Sequence, residues 1–163
     1  MTVDERVVPG GVVLTITVDG APVTQGSKKI GRGPGGRPVL VEDRDAELGR
    51  WRGAVAAAAR DALGPQWVPI EDPVDVELSF LVARPPSHLT ARGELRAGAP
   101  LLPCTRSSGD GDKLARAVLD ALSHAKFWAD DARAVDIAIR KRYAAPAAGQ
   151  RPGVRIVARA ATP

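Results

Sequence analysis

Residues 107–142 read SSGDGDKLARAVLDALSHAKFWADDARAVDIAIRKR, and the parsing of this stretch decides the fold. Leu114, Ala117, Val118, Ala121 and Leu122 recur at helical spacing, which predicts a helix over about 112–123. Asp112, Lys113, Arg116 and Asp120 fall on its outer side. After Phe127-Trp128 and the pair Asp130-Asp131 the period changes to two. Val135, Ile137 and Ile139 alternate with Asp136, Ala138 and Arg140, as a strand requires. The stretch is thus a helix, a short acidic link and a strand that ends in Arg140, Lys141 and Arg142. Asp110, Asp112, Asp120, Asp130 and Asp131 crowd around one short helix and repel one another unless a cation intervenes. A hard divalent ion is the common solution, since Mg²⁺ binds through one or two carboxylates plus substrate phosphates.

Working outward, residues 12–19 (VVLTITVD) alternate as a half-buried strand, with Val12, Leu14, Ile16 and Val18 on one face. Residues 1–11 read as a frayed start. Gly31, Gly33 and Gly36 match G-x-G-x-x-G by letter, but that fingerprint needs a helix opening directly after the glycines. Pro34 removes one amide and residues 37–41 read extended, so this segment is expected to be a mobile turn. A helix follows over about 45–63, with Leu48, Trp51, Val55, Ala58 and Ala62 inward, Asp43 or Asp45 as cap, and Gly64-Pro65 as stop. Residues 74–83 form the clearest strand: Val74, Val76, Leu78, Phe80 and Val82 face one way, and Asp75, Glu77 and Ser79 the other. Residues 87–107 read as irregular loop with His88 exposed at its start, and Val154 to Arg159 as a last strand.

The order is β-α-β-α-β-β, predicting an α+β two-layer sandwich: two helices packed on one face of a small mixed sheet. A length of 163 residues suits a single domain, and 44% hydrophobic residues exclude a disordered chain. No apolar run approaches a membrane span, and no signal peptide is read at Met1. Cys104 is the only cysteine, which excludes an internal disulfide and fits a cytoplasmic setting. The net charge of +4 is compatible with a polyanionic partner. Lys28, Lys29, Arg32 and Arg37 form a basic arm that could lie along a nucleic-acid backbone.

Each acid has a plain structural reading. Asp110 and Asp112 suit a helix cap and first-turn acid, worth roughly 0.5–2 and 0.3–1 kcal/mol. Asp112 and Arg116, four apart, suit a surface pair of perhaps 0.3 kcal/mol. Taken together they suit phosphodiester hydrolysis, which wants a metal-activated water and a cation for developing charge. Geometry limits this second reading. The helix carries the chain about 16 Å before Asp131 arrives, at ~1.5 Å per residue. Residues 123–131 can stretch back roughly 26 Å at ~3.3 Å per residue. Asp131 therefore meets Asp110 and Asp112 along an extended return, or from a second subunit.

Residues 109–142 resemble the signature of the RusA Holliday-junction resolvases: a D-x-D pair opening a helix, a D-A-L segment, and W-x-D-D before a strand ending in basic residues. The pieces VDGAPVTQGSKK and ARPPSH resemble flanking parts of that family. The resemblance implies that Asp110, Asp112 and Asp131 are catalytic, metal-binding carboxylates, Asp130 being the adjacent alternative. It puts Arg116 at the position of a catalytic lysine, where arginine offers a permanent cation that does not titrate. It further implies Mg²⁺ (or Mn²⁺), a homodimer, and branched DNA, a four-way junction, as the partner of a bacterial or phage protein. Paired symmetric nicks would leave 5′-phosphate ends. Lys28, Lys29, Arg32, Arg84, Arg140 and Lys141 are the candidate phosphate contacts. Phe127 and Trp128 are expected in the core, with insertion into the junction as the other option. A non-catalytic junction-binding protein and a metal-dependent nucleotide phosphohydrolase are the competing functions.

Overall fold

The computed structural model describes residues 11–26, 29–41 and 45–163. Six strands and two helices follow in order: β1 (Val12–Asp19), β2 (Lys29–Arg32), β3 (Pro38–Val41), α1 (Asp45–Leu63), β4 (Val74–Val82), α2 (Gly111–His124), β5 (Ala134–Tyr143) and β6 (Gly153–Ala160). The architecture is the expected α+β sandwich. Its main sheet has the order β1-β6-β4-β5. β6 runs antiparallel to β1 and β4, while β4 and β5 are parallel and joined through α2.

Alternation builds the core. Leu14, Ile16 and Val18 of β1, every second residue of β4 from Val74 to Val82, and Val154, Ile156, Ala158 and Ala160 of β6 are buried. In register these side chains share one face of the sheet. The apolar stripe of α2 covers that face with Leu114, Ala117, Val118, Ala121 and Leu122. Phe80, Phe127 and Trp128 are at most 1% exposed. Each such burial is worth about 1.5–3 kcal/mol. Phe127 and Trp128 are thereby core residues, with the Trp128 indole donating to Ser123 Oγ at 2.7 Å, and neither is available as a wedge.

Several expectations change in the folded chain. The segment read as a mobile turn is a two-stranded antiparallel hairpin of β2 and β3, with Ile30 opposite Leu40. The three glycines of the G-x-G-x-x-G match lie in it around a single 3-10 turn at Pro34–Gly36, and a strand rather than an α-helix follows them. Along α1 the buried stripe is Leu48, Trp51, Val55, Ala56 and Ala59, and Ala62 faces solvent. The expected inward positions step by three and four residues in turn, a 3.5-residue repeat, and a helix at 3.6 residues per turn drifts off it by ~20° per heptad. His88 is half-buried, its ring edge-on to Tyr143 at 6.0 Å. Cys104 is exposed. The frayed start, the Asp43 cap and Lys28 lie outside the described residues. Among the described residues no helix is long and apolar enough to cross a membrane.

β5 carries the largest departure. Ile137 and Ile139 pair with Val76 and Leu78, so they point to the helix-covered face. Yet each stays 38% exposed, and Val135, the extra residue of a bulge, is 61% exposed. β5 is the outermost strand, and α2 reaches only part of it. Among the described residues the sheet thus ends in an apolar row with one free backbone edge.

Candidate functional site

α2 begins at the C-terminal ends of the parallel strands β4 and β5. The approach is a tight turn, Arg106–Ser108, followed by Gly109 at φ +79°. A Cβ on Gly109 would stand 2.7 Å from the Thr24 methyl, so both the backbone angle and the space demand glycine here. The Ser108 side chain is buried here. Its Oγ lies 2.9 Å from the Pro103 carbonyl and 2.7 Å from that of Thr105. A cleft of about 300 Å³ opens beside this turn, lined by Thr24, Arg106, Ser107 and Leu114 among others.

Asp110 occupies the N-cap position but its side chain caps nothing. Instead it pairs with Lys113 at 3.0 Å. That hydrogen bond and charge hold the Asp110 carboxyl below its ordinary value of 3.8, with smaller contributions from Lys141 and Arg106. Asp112 and Arg116 are both exposed on the outer face of α2, and among the described residues neither forms an ion pair. The surface pair expected between them does not form. Asp120 belongs elsewhere, accepting from Gln25 Nε2 at 2.7 Å with Arg52 at 3.9 Å. It ties the segment after β1 to both helices.

Asp130 and Asp131 divide their roles. Asp130 Oδ1 accepts the Ala132 N–H at 2.8 Å, capping a short 3-10 turn. Asp131 is exposed and uncommitted to such a bond. Its position is the decisive geometric result. Gly111 lies against Ile139, and Lys141 touches Gly109, so the start of α2 sits at the far end of β5 from Asp131. At ~3.3 Å per strand residue the separation is roughly 20 Å. Among the described residues no group of three His, Cys, Asp or Glu could hold a metal ion. Within one protomer, Asp110 and Asp112 are together and Asp131 is apart.

The candidate phosphate contacts also scatter. Arg84 donates to the Pro100 carbonyl at 2.7 Å and the Leu101 carbonyl at 3.4 Å, and lies 4.0 Å over the Tyr143 ring. It anchors the 87–107 loop. Arg140 pairs with Glu77 at 3.1 Å on the sheet face away from α2. Arg32 is exposed on the hairpin. Lys141 alone of the Arg140-Lys141-Arg142 run reaches the start of α2. Lys113, which neutralises Asp110, was missed as a site residue, although its i,i+3 spacing signals the pair.

A family model described as Endodeoxyribonuclease RusA matches residues 19–157. The chain is an endodeoxyribonuclease, an enzyme that hydrolyses DNA. It belongs to the RusA family, found in bacteria and phages, whose activity is on Holliday junctions. A search of curated proteins found none that matches.

Proposed function

We propose that the chain resolves four-way junctions by paired symmetric nicks, as a twofold homodimer that depends on Mg²⁺ or Mn²⁺. In this reading each active site combines Asp110 and Asp112 of one subunit with the partner's Asp131. The observation that carries it is the split of the acids between opposite ends of β5. Among the described residues one protomer's carboxylates do not gather into a metal site, so in this reading the requirement falls on assembly. β5 has the features of a self-complementary edge: an unpaired backbone side, the exposed apolar row Val135, Ile137 and Ile139, an acidic start and a basic end. Two copies aligned antiparallel about an axis near Asp136 bring the partner's Asp131 opposite Lys141, beside Asp110. The same alignment sets Asp131 of each copy between Arg140 and Arg142 of the other, with the two Asp136 residues facing each other at the axis.

A C₂ dimer presents two equal sites, which matches the twofold symmetry of a junction with paired arms. Arg116, one turn from Asp112, supplies a fixed cation toward charge developing on the phosphoryl group. Hydrolysis by water leaves a 5′-phosphate and a ligatable nick. Exposed Arg32 and the neighbouring lysines of the basic arm suit the backbone of the junction arms, and work on such DNA belongs in the cytoplasm.

The test mixes two inactive variants. Asp110→Asn and Asp131→Asn homodimers each lack one half of every site. A heterodimer of the two regains one intact site if the halves come from different subunits, and none if they come from the same subunit. Single-strand nicking of a synthetic junction in Mg²⁺ by the mixture is expected. Its absence, with heterodimer verified by native mass spectrometry, would overturn the shared site. Absence of any cleavage by the wild-type protein in Mg²⁺ or Mn²⁺ would overturn the activity.

A further inference from the structure

We propose that Lys141 is a positioning residue: from β5 it clamps the Ser108–Gly109 turn and so fixes where Asp110 and the first turn of α2 stand. This rests on the reading of Asp110 as a catalytic carboxylate. It gives the ammonium a role inside the protein in place of one on a DNA phosphate.

Register puts Lys141 opposite Phe80, whose side chain is buried beneath the helices, so Lys141 points toward α2. Its neighbours leave in other directions. Arg140 pairs with Glu77 on the opposite face, and Arg142 folds back to donate to the Lys141 carbonyl at 2.7 Å. The Lys141 ammonium donates to the Gly109 carbonyl at 2.5 Å and to Ser108 Oγ at 3.3 Å. An ammonium has three donors, and two are engaged here.

The acceptors explain why the contact matters. Gly109 has a backbone angle open essentially to glycine alone, and its carbonyl sits one residue before Asp110. The Ser108 hydroxyl has one hydrogen and two backbone carbonyls within reach, so its oxygen is free to accept from Lys141. The ammonium thus joins the edge strand, the turn and the loop that Ser108 holds. On the other side of the turn, Gln25 N–H donates to the Lys113 carbonyl at 3.0 Å, and the Thr24 methyl abuts Gly109. The start of α2 is gripped from both sides. Removal of Lys141 frees one of them, and Asp110 moves with it. Charge-assisted bonds of this kind are stronger than neutral ones, which suits a contact that must hold a small turn in place.

The experiment compares Lys141→Met, Lys141→Arg, Ser108→Ala and the double variant Lys141→Met/Ser108→Ala. Amide exchange and ¹H–¹⁵N shifts of residues 108–113 are recorded on the protein without DNA. Faster exchange and shifted peaks are expected in Lys141→Met, with Lys141→Arg closer to wild type. Unchanged peaks and exchange there would overturn the clamp, whether or not the chain cuts DNA. On a four-way junction, Lys141→Met is expected to lower kcat at least tenfold with KM within about twofold. Ser108→Ala lowers kcat in the same way, and the double variant is no worse than Lys141→Met, because the two act through one contact. The salt dependence of junction binding separates the alternatives, since each neutralised phosphate adds roughly 0.9 to its slope. An unchanged slope is expected for Lys141→Met. A slope reduced by about one phosphate, with kcat intact, would assign Lys141 to DNA instead. Wild-type protein that exchanges as expected but never cleaves would count against the nuclease reading alone.

Discussion

The Lys113 ammonium stands 3.0 Å from the Asp110 carboxylate, one turn into α2. This contact keeps Asp110 ionised below its ordinary titration range. A depressed folded-state value stabilises the fold at pH above the ordinary carboxylate range, and that contribution is lost as pH falls through the depressed value. In Lys113→Met, Asp110 is therefore expected to titrate closer to 3.8, as read by carboxyl ¹³C NMR. The stability difference between the two proteins, measured by urea unfolding, should be full near neutral pH and vanish in strong acid. A difference that grows on acidification would contradict the pairing.

Gly109 meets two separate demands, and substitution can split them. Gly109→Ala places a methyl in a glycine-only backbone region, at roughly 1–3 kcal/mol. It also drives that methyl into Thr24. The melting temperature should fall by about 5 °C, at roughly 2–4 °C per kcal/mol for a chain of this size. Adding Thr24→Ser removes the clash and should recover part of the loss, leaving the backbone part. Full recovery would mean that the angle carries no strain.

Ile137 and Ile139 are apolar, exposed and central to the β5 edge. Ile137→Glu/Ile139→Glu should give a folded monomer, with unchanged far-UV circular dichroism and half the mass by analytical ultracentrifugation. Junction cleavage should drop at least about a hundredfold, equivalent to some 2.7 kcal/mol of barrier at 1.36 per decade. A variant that remains dimeric would move the interface away from β5.

Asp130 and Asp131 are adjacent in sequence but differ in commitment. Asparagine can still accept the Ala132 amide, so Asp130→Asn should keep both the turn and most of the cleavage. Asp130→Ala should cost about 0.5–2 kcal/mol of stability, the usual range for a lost cap. Asp131→Asn should leave stability alone and abolish nicking. The reverse pattern in cleavage assays would exchange the two roles.

The Tyr143 hydroxyl is buried and has no hydrogen-bond partner among the described residues, while its ring supports Arg84. Removing the hydroxyl relieves an unmet desolvation cost, so Tyr143→Phe should be neutral or stabilise by about 1 kcal/mol. Arg84→Met gives up the ring contact and two carbonyl partners, and should destabilise by about 1–3 kcal/mol. Urea midpoints would check both. Loss of stability in Tyr143→Phe would reveal a partner for that oxygen.

Much of this molecule is local, and local features are legible in a sequence. The alternation in β1 and β4 and the apolar repeat of α2 specify which face each element buries, because side-chain period follows directly from backbone geometry. The D-x-D pair Asp110 and Asp112, the D-A-L segment and the W-x-D-D run ending in Asp131 carried the family, which the match over residues 19–157 bears out. The β2–β3 hairpin escaped because glycines and Pro34 mask its alternation, and the exposure of Ala62 because helical drift accumulates over four turns.

Tertiary structure decided what depends on order within the sheet and on contacts far apart in the chain. The alternation of Val135, Ile137 and Ile139 is that of a half-buried strand, yet β5 is outermost, and an edge exposes what a central strand would cover. The tie from Lys141 to Gly109 joins residues 32 apart and follows from register. The distance from Asp131 to Asp110 likewise follows from strand direction. A sequence specifies which side chains are carboxylates, but a strand of ten residues is a rigid spacer, and its orientation determines which of them can meet within one protomer.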